Sequence, residues 1–86
     1  MARPAPSLSV HGLREVAFVA TGRIIWFNQV SGYGFIALDE AGPDHYVRRE
    51  NIVGAPSTVI ADAGVRFESR EGGMGPEAIN VRLLGR

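Results

Sequence analysis

The stretch Trp26-Phe27-Asn28-Gln29-Val30-Ser31-Gly32-Tyr33-Gly34-Phe35-Ile36 decides how this chain is read. Four aromatic residues fall within ten positions, among them the only Trp of the chain, and Gly is interleaved with them. A buried core strand would carry Val, Ile and Leu on its inner face, and Gly would weaken it. In an extended strand Tyr33 and Phe35 lie on one face while Gly34 points to the other. If the rings faced a core, Gly32, Gly34, Ile36 and Leu38 would be left facing water. The rings are therefore expected to face outward. Flat rings beside Gly leave room for a planar ligand, and every nucleobase has a π-face that stacks on such rings.

Outward from this stretch, the punctuation is that of an all-β chain. Turn signals sit at Asn28–Gly32, Asp39–Asp44, Val53–Thr58 and Glu71–Pro76. Between them the β-rich runs are 17–28, 33–39, 45–48, 65–70 and 78–84. Val65-Arg66-Phe67-Glu68 and Ile79-Asn80-Val81-Arg82-Leu83 alternate between apolar and polar faces, and no run sustains a helical period. A single helical turn is expected at 49–52. Five short strands in so small a chain suit a closed barrel, which removes the sheet edges that invite aggregation.

Composition narrows the function classes. Eighty-six residues make one small domain, and an apolar share of 45% argues against general disorder. With no Cys, neither a disulfide framework nor a zinc-thiolate site can form. No apolar run approaches the ~20 residues of a membrane span, and the first residues lack a signal-peptide core, so a cytoplasmic protein without membrane attachment is expected. Nine basic residues, all Arg, balance nine acidic ones. A strong nucleic-acid binder usually carries a basic excess. Arg is nevertheless planar, so it can stack as well as pair.

Four blocks in order carry a resemblance. Gly22-Arg23-Ile24-Ile25-Trp26-Phe27-Asn28, Ser31-Gly32-Tyr33-Gly34-Phe35-Ile36, Asp44-His45-Tyr46-Val47-Arg48 and Gly75-Pro76-Glu77-Ala78-Ile79-Asn80-Val81 resemble the bacterial cold-shock domain. Its two ribonucleoprotein motifs correspond to the second and third blocks. The resemblance covers residues 21 to about 84. It implies a five-stranded antiparallel OB-fold barrel over 21–86, preceded by an N-terminal extension, 1–20, that is partly disordered. Residues 13–21 are apolar enough to pack, either lengthening the first strand or forming a partner or dimer contact. The resemblance also implies that Trp26, Tyr33, Phe35 and Tyr46 stack on bases, with Phe27 at the edge. Arg23, Arg48 and Arg49 would supply phosphate or stacking contacts, and Asp44 would accept a hydrogen bond from a base.

The chain also departs from the family pattern. Ile25 and Ser31 stand where the family has Lys, and Met74 where it has a basic residue. Arg48 replaces a His and Arg49 an aromatic, and the loop Gly54–Thr58 lacks the family's aromatic ring. His45 takes an inward Val position and reads as a hydrogen-bonded strand-end histidine. No metal cluster and no cofactor is expected, because the two His are far apart and neither Gly-rich segment completes a nucleotide-binding motif. No catalytic arrangement has motif context, so an enzyme is not expected. The expected function is binding of single-stranded RNA or DNA by a monomer, in RNA chaperoning or in regulation of transcription or translation. The alternative is a protein-interaction module on the same barrel, presenting Trp26, Ile25 and Met74 to a protein partner.

Overall fold

The computed structural model describes residues 18–84. The expectations for residues 1–17 and 85–86, most of the N-terminal extension among them, lie outside the described residues. Five strands, β1 (Phe18–Asn28), β2 (Tyr33–Leu38), β3 (His45–Arg48), β4 (Gly64–Gly72) and β5 (Gly75–Leu83), close into a barrel in the order β1-β2-β3-β5-β4. A 3-10 turn, Arg49–Asn51, follows β3.

One expectation is corrected. The barrel is not purely antiparallel, because β3 and β5 run parallel, with Tyr46 paired to Glu77 and Val47 to Ala78. The parallel bridge Ile52–Val81 prolongs this seam. The reason is topological. Strand directions cannot alternate around a ring of five, so one neighbouring pair must share a direction. The hairpin β4–β5 is also longer than its turn residues suggest. Glu71 pairs with Pro76 and Gly72 with Gly75, so only Gly73 and Met74 form the turn. A two-residue hairpin needs few special residues, and the remaining Gly and Pro are absorbed into the ladder.

Two bulges re-aim side chains. On β1, Ile24 pairs with Ile36 and Trp26 with Phe35, so Ile25 is an extra residue. Strict alternation would put Trp26 on the inner face with Ile24. The bulge shifts the phase, and Trp26 emerges 46% exposed while Ile24 is fully buried. On β5 the register slips opposite Phe67, between Ile79 and Arg82. Asn80 takes φ +50° there, a conformation Asn tolerates better than most residues. Its side-chain amide donates to Glu68 at 2.9 Å.

The core holds Ile24, Ile36, Val47, Ile52, Val59, Val65, Phe67, Ala78 and Val81. Val59 comes from the long loop before β4. Gln29 fixes it there: its Nε2 donates to the Val59 carbonyl at 2.6 Å, and its Oε1 accepts from the Val59 N–H at 3.1 Å. His45 is buried against Phe67, with ring centroids 5.2 Å apart. Its Nδ1 lies 3.0 Å from the Pro43 carbonyl, which can only accept, so Nδ1 carries the proton. Its Nε2 meets the Ser69 hydroxyl at 2.9 Å. His45 thus has a partner on both ring nitrogens and serves the interior.

Candidate functional site

On β2, Gly34 and Ile36 are buried, so Tyr33 and Phe35 face outward. On β3, His45 and Val47 are buried, so Tyr46 and Arg48 face outward. Pairing then aligns the outward residues in rows. Trp26 lies beside Phe35, Phe35 beside Tyr46, and Tyr46 beside Glu77. The next row is Asn28, Tyr33 and Arg48.

Trp26, Tyr33, Phe35 and Tyr46 form one connected cluster. Trp26 and Phe35 are nearly parallel, 28° apart with centroids at 6.1 Å. Tyr33 lies 5.5 Å from Trp26 and 5.8 Å from Tyr46. Phe35 touches Tyr46 at 5.9 Å and Tyr33 at 6.5 Å. All four rings are partly exposed, so their mutual packing holds a hydrophobic surface in place without hiding it. Gly34 makes this surface possible from beneath. A Cβ at Gly34 would collide with the Trp26 carbonyl and lie 2.8 Å from Phe27 Cα, so no larger residue lets β1 and β2 approach this closely.

Phe27 is placed differently from the other four rings. It is half-buried and packs against the core. The Arg49 guanidinium covers it, 5.5 Å from the ring centroid. The same Arg49 donates from Nη2 to the Gln29 carbonyl, and its Nε is buried without a partner among the described residues. Its backbone N–H donates to the Gly32 carbonyl at 2.8 Å. Arg49 is therefore a clasp over the β1–β2 turn.

Arg48 projects beside Tyr33, but its Nη2 donates to Glu50 Oε2 at 2.7 Å. The hydrogen bond from Arg48 holds its guanidinium even more firmly protonated. The Glu50 carboxyl is held below the usual carboxylate range, first by a backbone hydrogen bond and then by Arg48. Arg23 is exposed on β1 opposite Ala37, and no ion pair engages it among the described residues. Asp44 is exposed in the loop just before β3. The three cations are thus in three different states: Arg23 open, Arg48 held by Glu50, and Arg49 committed to the fold.

Two residues beside this face escaped the sequence reading. Glu77 closes the row that begins at Trp26, and Asn51 reaches its carboxylate from the 3-10 turn. Only the parallel β3–β5 seam brings Glu77 next to Tyr46. Nothing local in the sequence signals that neighbour.

Comparison with known proteins follows the same pattern. The family model described as 'Cold-shock' DNA-binding domain matches residues 20–84. The chain is similar to the cold shock-like protein CspA of Vibrio cholerae, 37% identical over 65 residues, which covers 74% of this chain and 93% of that protein. It is equally similar to a cold shock protein of Arthrobacter globiformis, 37% identical over 67 residues, covering 77% of this chain and all of that protein (100%). Among solved structures, Drosophila Unr CSD456 aligns with a TM-score of 0.65 at 16% identity, over 78% of this chain and 27% of that one. That likeness shows the fold alone.

Proposed function

This chain belongs to the cold-shock domain family, and from that premise we propose that it binds single-stranded RNA or DNA by stacking bases on Trp26, Tyr33, Phe35 and Tyr46. The observation that carries this reading is the connected, outward cluster of four rings on an otherwise ordinary barrel surface. A lone exposed Trp would say little. Four rings in mutual contact give a platform for two or more successive bases, each worth roughly 1–3 kcal/mol.

Arg23 supplies a phosphate contact, and Arg48 a second once it exchanges Glu50 for the ligand. Arg49 and Phe27 hold the β1–β2 turn that carries the platform, and Asp44 accepts from a base edge at its margin. Stacking reads no sequence by itself, so the domain tolerates many sequences. That tolerance suits an RNA chaperone or a regulator of transcription or translation, acting as a monomer. The binding unit is the domain over 21–86, and of the extension 1–20 the residues Phe18, Val19 and Ala20 already pair with β4 as the start of β1.

The test is titration with an oligothymidine of about 4–16 nucleotides, the range of an OB-fold site. Stacking on the platform quenches Trp26 fluorescence. A chain that binds no oligonucleotide at any salt would instead be a protein-interaction module. Ile25, 47% exposed, and Met74, 72% exposed, would then be its first candidate contacts.

A further inference from the structure

Beyond Trp26 the outer face of the barrel turns from aromatic to basic. Arg23 on β1 faces outward and pairs with Gly64 on β4, which sets no side chain beside it. Two residues further along β4, Arg66 also faces outward, opposite Thr21. Arg66 in turn pairs directly with Arg82 on β5. All three arginines are exposed, and no ion pair engages any of them among the described residues. Like charges directly opposite each other on neighbouring strands destabilise a sheet. The fold nonetheless sets Arg66 against Arg82, and an open groove of about 310 Å³ runs past both.

The acids nearby do not relieve this pair. Asp39 accepts a hydrogen bond from the Thr21 hydroxyl at 2.7 Å. Glu68, the next outward residue on β4, accepts from the Asn80 amide at 2.9 Å. Glu40 borders a second groove with Arg66 but forms no ion pair with it. We propose that Arg23, Arg66 and Arg82 form a phosphate track that carries a longer single strand off the platform, across β1 and onto the β4–β5 face. This rests on the nucleic-acid reading above.

Neighbouring strands lie about 4.8 Å apart, so the track spans about 10 Å from β1 to β5. At about 3.4 Å per nucleotide of a stacked strand, that length meets about three phosphates. Guanidinium groups fork onto phosphate oxygens with two parallel hydrogen bonds. One phosphate between Arg66 and Arg82 replaces a repulsion with two attractions. A carboxylate could also sit there, but continuity favours a nucleic-acid strand. Arg23 is three residues from Trp26 on the same strand and is already the open cation of the platform. A strand that leaves the rings across β1 meets Arg23 first and Arg66 next. β4 and β5 hold one ring, Phe67, and it is buried, so bases on this face find nothing to stack on. Contacts there go to the backbone, which adds affinity without reading sequence.

The experiment titrates the full chain, by Trp26 fluorescence, with oligothymidines of about 4 and about 12 nucleotides across a salt series. The short strand stays on the platform, where Arg23 gives a slope of log affinity against log salt of about −0.7. The long strand adds Arg66 and Arg82, for a slope of about −2. Between about 50 and about 200 mM salt it should therefore lose about sevenfold more affinity than the short one. In the double variant Arg66→Gln, Arg82→Gln the long strand should fall back to about −0.7, with short-strand affinity unchanged. That variant also controls for strand length itself. Its melting temperature should hold or rise, because two like charges no longer face each other. Equal slopes for the two strands, or a long-strand slope that survives the double variant, would overturn the track and leave the platform standing. An oligoglutamate that binds through Arg66 and Arg82 while the long strand gains nothing would also overturn it, and would assign this face to an acidic protein. No binding of either oligothymidine would overturn the track and the proposed function together.

Discussion

The salt dependence of binding can be worked out residue by residue. Each phosphate contact on a single strand steepens the slope of log affinity against log salt by about −0.7. Counting Arg23, Arg48 and Arg49 from the sequence gives about −2 by that rule. The structure lowers the figure. Arg49 is spent on the Gln29 carbonyl and the Phe27 ring. Arg48 must leave Glu50 to meet a phosphate, which uncovers one anion as it covers another. Only Arg23 counts in full, so the expected slope is about −0.7. Glu50→Gln frees Arg48 and should steepen the slope to about −1.4. It should also tighten binding, by no more than about 5-fold in moderate salt, because a solvent-exposed ion pair holds Arg48 only weakly. The Glu50 carboxyl is held below the usual range, so it stays ionised through neutral pH and the effect should be equal at about pH 6 and pH 8. Oligothymidine titration across a salt series, in both forms, measures all of this. A wild-type slope steeper than about −3, or a Glu50→Gln chain with neither change, would refute the reasoning.

The other expectations concern the rings, the turn and the chain end. Phe35→Ala and Tyr46→Ala should each weaken oligothymidine binding by roughly 1–3 kcal/mol while the barrel stays folded. Phe67→Ala, which empties the core, should cost about 3–5 kcal/mol of stability, read from denaturant unfolding. Normal binding with a core-like loss of stability in Phe35→Ala would show that this ring is core. Arg49→Ala should change affinity less than about twofold, yet lower the melting temperature by roughly 4–8 °C for each kcal/mol lost with the clasp. Gly34→Ala should destabilise the chain by about 1–3 kcal/mol or more, because the new methyl meets backbone on β1, and thermal melting checks it. Removal of residues 1–15 should leave a folded, binding-competent chain, seen by circular dichroism and the same titration; loss of binding alone would place that segment in the site.

Much of the architecture was legible in local pattern. Val65-Arg66-Phe67 and the alternation of Tyr33 and Phe35 with Gly34 give strand and face at once, because side chains on a strand point to opposite sides in turn. The turn signals separated five strands, but the expectation of a purely antiparallel barrel overlooked that a closed ring of five requires one parallel pair, here β3 and β5. The platform rings were legible as a set because they sit in ordered blocks along the chain. The state of each cation was not. Arg48 and Arg49 are neighbours in sequence, yet one lies on the outer face held by Glu50 and the other caps Phe27. That difference is set where β3 gives way to the 3-10 turn and the alternation ends. Trp26 shows the same limit. Parity alone would bury it with Ile24, and only the pairing of β1 with β2 fixes the bulge that turns it outward. Glu77 lies furthest from local sequence information. Its neighbour Tyr46 is remote in the chain, and they meet because barrel closure sets β5 beside β3. The sequence determined which residues could form strands and which rings could face a ligand, since those follow from period and side-chain type. The tertiary structure alone decided which charges stay free and which side chains become neighbours, because register and closure join segments that carry no local record of each other.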